Sequence, residues 1–216
     1  MCHLRVICGV HTAHVLMRAR VSLPDRPGAL LGIAKALADA GGNIIDIEVM
    51  AGNEGRAIDD FVVDLPTGGD ERLREILAGA GAQVLGARKT VRVSGQRVDL
   101  DLLQRIAAEP TSALATFVSM AAMVFHADWA VATSGADVTH VVQRSVGSPS
   151  VLPAGLPVPT GALPRRAALD GRWETLGVRW GDEQCVFIGR DGGPTFLQVE
   201  LLLVRRVVDL ARTLAG

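Results

Sequence analysis

The stretch from Arg18 to Val49 constrains the fold more than any other part of the chain. It runs as an alternating segment, the loop Leu23-Pro24-Asp25-Arg26-Pro27-Gly28, an apolar-striped segment, and then Gly41-Gly42-Asn43-Ile44 opening a second alternating run. In Arg18–Leu23, Ala19, Val21 and Leu23 point one way and Arg18, Arg20 and Ser22 the other, which is strand periodicity. Leu30, Ile33, Ala34, Leu37 and Ala38 recur at helical spacing and predict one buried stripe. Pro27 is placed to start that helix with its fixed φ. Gly28 lets a second group approach the backbone. Gly41 and Gly42 stop the helix as C-terminal glycines do. The stretch is therefore strand, helix, strand, with a small pocket beside a helix N-terminus. Free N–H groups of that first turn suit an anion such as a carboxylate. Asn43 adds an amide with donors and an acceptor near the other end of the same helix.

The pattern continues. Ile45, Ile47 and Val49 are expected to face a core, with Asp46 and Glu48 outside. Asn53-Glu54-Gly55 turns the chain into a third strand, in which Ala57, Asp59, Phe61, Val63 and Leu65 share one face. Taking the Phe61 face as core leaves Asp59 near the strand start and solvent. Asp70–Ala80 is a second helix, with Leu73, Ile76 and Leu77 inward. Gln83–Val93 is a last strand interrupted by Gly86. The order predicts a ferredoxin-like βαββαβ sandwich. Its far face carries Arg18 and Arg20 beside Asp60 and Asp64, expected as a solvated face with weak cross-strand pairs.

Asp25-Arg26-Pro27-Gly28-Ala29-Leu30 together with Gly42-Asn43-Ile44 resembles the ACT domain, a regulatory module that binds amino acids. The resemblance spans 17–93. It implies a ligand site built from Asp25, Arg26, Pro27, Gly28, Ala29, Leu30, Asn43 and Ile44. It also implies a homodimer with the ligand at the dimer interface. The loop would offer N–H donors to the ligand carboxylate, and Asp25 would receive the ammonium. Two structural roles compete: Asp25 as a helix cap and Asn43 as a turn residue tolerating positive φ. Leu23 stands where serine-binding members carry a polar residue, which tilts the ligand toward a less polar amino acid.

Ser94-Gly95-Gln96-Arg97 is a polar linker to a second domain, 99–216. Val98–Glu109 and Thr111–His126 are helical by apolar spacing, separated at Pro110. Trp129–Thr133 and Val138–Arg144 form a hairpin around Ser134-Gly135-Ala136-Asp137. Ser148–Arg166 contains Pro149, Pro153, Pro157, Pro159 and Pro164, a long irregular loop of the kind that is either functional or mobile. Glu174–Trp180 and Gln184–Arg190 make a second hairpin. A C-terminal helix follows, with Thr195 and Gln198 as a capping box and Val199, Leu203, Val207, Leu210 and Leu214 as its core stripe. Val186-Phe187-Ile188-Gly189-Arg190 with Gly193-Pro194, Phe196 and Glu200-Leu201 resembles the end of a GAF-type sensor domain. That implies an antiparallel sheet flanked by helices. Here the third strand and its neighbouring helix are largely replaced by the Pro-rich loop.

The predicted class is thus α+β: a ferredoxin-like sandwich followed by a GAF-like sheet. Composition narrows the function. The 216 residues carry a formal charge of −1, with 22 basic and 23 acidic side chains. That balance argues against nucleic acid or a membrane surface as partner. Tyrosine is absent and aromatics are 4% of the chain, so base-stacking platforms are not expected. No apolar run reaches the roughly 18 residues of a membrane span. Cys2, Cys8 and Cys185 form no disulfide framework, which fits a reducing cytoplasm. Residues 1–16 read as an N-terminal extension, with Met17 as an alternative start. Cys8, His11 and His14 match no standard zinc spacing. No metal site, cofactor motif, paired carboxylates or nucleophile elbow is apparent. Gly189-Arg190-Asp191-Gly192-Gly193 lacks the Lys-Ser/Thr of a P-loop. The expectation is a non-catalytic regulatory protein that binds an amino acid or similar small molecule, acts as a homodimer and serves a regulated protein partner. Alternatives are a protein-only structural adaptor and an enzyme with its site under the Pro-rich loop.

Overall fold

The computed structural model describes residues 14–53, 55–66, 68–90, 98–135 and 140–216. Cys2, Cys8, His11, the end of the expected last strand at 91–93, the linker 94–97 and the hairpin residues 136–139 lie outside the described residues. The chain divides into two compact units, Met1–Arg92 and Val93–Gly216.

In the first unit the order is β1 (Val15–Pro24), α1 (Ala29–Asp39), β2 (Asn43–Asn53), β3 (Arg56–Leu65), α2 (Asp70–Gly79) and β4 (Gln83–Lys89). The four strands form an antiparallel sheet in the order β2-β3-β1-β4. Met17, Ala19, Val21 and Leu23 from β1 and Phe61, Val63 and Leu65 from β3 meet Ile33 and Leu37 of α1 and Leu73 and Leu77 of α2. This is the βαββαβ sandwich that the periodicity predicts. Its helix stripe is narrower than expected: Leu30 is 40% exposed, and Ala34 and Ala38 are exposed. Two apolar side chains per helix suffice to cover a four-stranded sheet this small.

β2 departs from simple alternation. Its pairing with β3 shifts between Ile44 and Asp46, so Ile44 takes the place opposite the buried Val63. Ile44 packs on the core, whereas Ile47 and Val49 are 39% and 68% exposed. They sit on the predicted face, but at the sheet edge, beyond the cover of the helices. A β-bulge of this kind re-aims every residue after it.

The far face of the sheet is not solvated where it matters. Arg20 and Asp60 are each 3% exposed. Arg20 donates from Nε and Nη2 to the two oxygens of Asp60, both at 2.8 Å, and Arg18 donates a third bond at 2.8 Å. Those three charge-assisted bonds allow a carboxylate and a guanidinium to leave water. Burial alone pushes the Asp60 carboxyl up. The bond from Arg20 and the charges of Arg18 and Arg20 outweigh it and hold the group below the usual carboxylate range.

The second unit runs α3 (Val98–Ala108), a 3-10 turn Pro110–Ser112, α4 (Ala113–Val124), β5 (Trp129–Ser134), β6 (His140–Arg144), β7 (Arg165–Leu169), β8 (Trp173–Arg179), β9 (Gln184–Asp191) and α5 (Gln198–Ala215). Its antiparallel sheet has the order β6-β5-β9-β8-β7. The third strand, expected to be lost, is present as β7. Its charged Arg165-Arg166 start hides an edge strand from apolar pattern. One sheet face packs on α3, α4 and α5 through Phe117, Leu176, Ile188, Phe196 and Val204. The Pro-rich loop covers the other face, where Leu152, Leu156 and Val158 pack on Trp129, Val131, Cys185 and Phe187. That loop is a packed lid over the sheet, resting on the apolar side chains of Trp129, Val131, Cys185 and Phe187. Gly189 makes the packing feasible: a Cβ there would fall 2.0 Å from the Trp129 ring.

The α5 core stripe differs from expectation. Leu201, Val204, Val207, Val208 and Ala211 are buried, while Val199, Leu203, Leu210 and Leu214 are 40–52% exposed. The helix also begins later. Its cap residue is Leu197, whose N–H is accepted by Glu200 at 2.7 Å, in place of the Thr195–Gln198 box. Glu200 is drawn there by the buried Arg190, which donates to it at 2.6 Å and stacks its guanidinium 3.8 Å over Phe196.

Candidate functional site

The loop between β1 and α1 places Asp25, Arg26, Pro27 and Gly28 in the open; all four are exposed. Asp25 is held by its own backbone, N–H to the Gly55 carbonyl at 2.8 Å, which ties the loop to the β2–β3 turn. Gly28 is the residue before the helix and has φ +85°, a left-handed conformation that favours glycine. Pro27 therefore lies in the turn ahead of the helix, and Ala29 is the first helical residue. No side chain caps α1, so Asp25 is not spent as a cap. The first turn is less open to an anion than expected. The N–H of Ala29 donates to the Arg26 carbonyl at 3.2 Å and that of Leu31 to Gly28 at 3.0 Å.

Asn43 and Ile44 lie elsewhere. Asn43 opens β2 opposite Asp64, whereas Asp25 follows Pro24, which pairs with Arg56 at the other end of β3. The helix α1 separates them. Asn43 is exposed, extended strand and not a positive-φ turn residue; Gly41, with φ +74°, makes the turn. Ile44 is partly buried in the core. Within one chain, the predicted site thus comes as two halves: the loop 25–30 at one end of the sheet, and Asn43 at the other.

A further residue belongs with the loop. Asp59 of β3 is 3% exposed, not near solvent, and its Oδ1 has no hydrogen-bond partner. It pairs with Val21 and Val49 and so projects to the helix-bearing face, where Val21 is core. Burial pushes its carboxyl above the ordinary range, and the negative charges of Asp25 and then Asp60 push it the same way. Gly52 completes the corner: a Cβ there would point toward Asp25, 3.6 Å from its Oδ2. The signal was available, since an acidic residue on the Phe61 face of a core strand needs a reason. End-of-strand position concealed it.

A four-stranded antiparallel sheet with two helices on one face and an open loop at a helix start defines a ferredoxin-like module. Residues 17–82 match the family model of the ACT domain, and this part of the chain is an ACT domain. ACT domains are typically regulatory modules for small molecules. No curated protein matches the sequence. Among solved structures, the crystal structure of an unknown protein from Galdieria sulphuraria is similar at 12% identity and a TM-score of 0.34, covering 94% of this chain and 92% of that one. Among the described residues no group of three or more metal-ligating side chains converges, and no single helix is long and apolar enough to cross a membrane.

Proposed function

We propose that the chain is a non-catalytic regulatory protein that binds an amino acid between two copies of its ACT domain. The observation that carries this is the split of the site. β2 is an edge strand, and it exposes Ile47 and Val49. Edge strands are templates for pairing with another chain. Two β2 strands paired antiparallel about a two-fold axis bring the Asn43 end of one against the Asn53 end of the other. Asn43 of the partner subunit then stands beside Gly52 and the Asp25 loop. Each closed dimer holds two such sites, related by symmetry. Ligand bridging the copies favours one dimer arrangement, which is the differential affinity that a switch needs.

The second unit, GAF-like in this proposal, relays or reinforces that change to a protein partner in the cytoplasm. The exposed stripe Val199, Leu203, Leu210 and Leu214 on α5 supports a protein contact there. The same stripe favours the second reading, a protein-only adaptor. A thermal-shift screen of the proteinogenic amino acids separates the two, because ligand that binds only the folded state raises apparent stability. The proposal expects a shift with one class of amino acid, abolished in the double variant Asp25→Ala, Asn43→Ala. No shift with any amino acid favours the adaptor.

A further inference from the structure

Asp59 is costly where it stands. A buried carboxyl with an unpaired oxygen weakens the fold unless something outside the chain uses it. Three features surround it. Asp25 is close enough for its charge to act on Asp59, and it is exposed and uncommitted as a cap. Gly52 has no side chain, and a Cβ there would stand 3.3 Å from the Arg56 carbonyl oxygen and 3.6 Å from the Asp25 Oδ2. Val49, cross-strand neighbour of Asp59 on the same face, is 68% exposed and offers an apolar wall. Two neighbouring carboxyls at this corner, one of them buried with an unpaired oxygen, call for positive charge. The apolar wall calls for methylenes beside that charge.

We propose that this corner receives a primary ammonium at the end of an aliphatic chain, with Asp59 as its buried acceptor. The ligand class is then an amino acid with a second, side-chain amine. This rests on the amino-acid reading above: Asp25 and the loop take the α-ammonium and α-carboxylate, and Asp59 adds selection for the second amine. A neutral amino acid leaves Asp59 unpaired; a diamino acid supplies two ammonium groups against two carboxylates.

The test is calorimetric titration of the full chain with three probes: L-lysine, L-norleucine, which lacks the terminal amine, and cadaverine, which lacks the carboxylate. Two variants accompany it. Asp59→Asn keeps size and shape and removes the charge, and Gly52→Val fills the corner while leaving Asp59 in place. The expected result is lysine binding about tenfold or more tighter than norleucine, with that preference lost in both variants. Equal binding of lysine and norleucine, or a lysine preference that persists in Asp59→Asn, overturns the assignment and leaves the amino-acid reading intact. Silence with both amino acids removes the amino-acid reading. In that case cadaverine binding lost in Asp59→Asn still upholds the ammonium corner, and silence with cadaverine overturns it as well.

Discussion

Asp60→Asn will selectively destabilise the N-terminal unit. The wild-type carboxylate accepts three bonds of 2.8 Å, two from Arg20 and one from Arg18, with 2% exposure of the Asp60 and Arg20 side chains. Asparagine offers one carbonyl oxygen and turns an N–H₂ toward a guanidinium. Breaking a buried pair from one side costs about 3–5 kcal/mol, because the remaining charge stays buried. In a unit of this size each kcal/mol moves the midpoint by roughly 4–8 °C, so the loss is at least about 12 °C. Glu48 provides the internal control. It lies 3.6 Å from the same Arg18 but is 55% exposed, so Glu48→Ala changes stability by no more than about 1 kcal/mol. The assay exploits tryptophan placement. Trp129, Trp173 and Trp180 all lie in the C-terminal unit, so tryptophan fluorescence follows that unit and circular dichroism follows both. Asp60→Asn will move a dichroism transition and leave the fluorescence transition in place. Because the folded carboxyl is held low, its stabilisation is present above the unfolded value near 3.9 and fades as pH falls through the folded value; the variant lacks that acid sensitivity. Equal, sub-kcal/mol losses in Asp60→Asn and Glu48→Ala would refute the argument from burial.

Three further outcomes follow from particular contacts. Asp59→Asn will raise stability at neutral pH and change little below about pH 4: a carboxyl raised in the folded state stabilises below its unfolded value near 3.9, and that contribution is lost as pH climbs through the folded value. Dichroism melts of both proteins across that range read it. Gly189→Ala forces a methyl against the Trp129 ring and will cost at least about 1–3 kcal/mol, measured as a fall in the urea midpoint of tryptophan fluorescence. Leu156→Ala strips part of the lid from the second sheet. It will red-shift the emission of Trp129 and Trp173, whose rings lie 5.8 Å apart beneath the loop, with a stability loss on the order of 2 kcal/mol.

The N-terminal architecture was legible because each element carries its own period and punctuation: Val21 and Phe61 alternate, Ile33 and Leu37 recur helically, and Gly41-Gly42 closes the turn. What eluded the sequence depends on partners distant in the chain. Asp60 reads as a surface charge until Arg20, forty positions away, is seen to bond both its oxygens. Asp59 reads as a strand-start acid until its cross-strand neighbours place it over the core. Ile47 and Val49 have the right parity, but no period in a sequence says that a strand lies at an edge. In the second unit, five prolines suggested an irregular loop, either functional or mobile. Leu152, Leu156 and Val158, spaced among them, cover a sheet instead. On α5, Val199, Leu203, Leu210 and Leu214 and the buried set are both apolar, so spacing alone chose the wrong face. Of the candidate site, the placement of the loop and Asn43 at opposite ends of one helix was legible; the burial of Asp59 beside the loop was not, since it follows from strand register.

A ligand site shared between two copies can be rebuilt by complementation. Asp25→Ala and Asn43→Ala chains, differently tagged, are co-expressed, and the mixed dimers are purified and titrated with the amino acid that shifts the wild type. Each variant alone spoils both sites of its dimer. In the mixed dimer, one site carries both alanines and the other carries an intact Asp25 facing Asn43 of the partner subunit. The mixed dimer will bind with wild-type affinity at one ligand per dimer. Mixed dimers that remain silent, or an Asn43→Ala homodimer that binds as well as wild type, would contradict it.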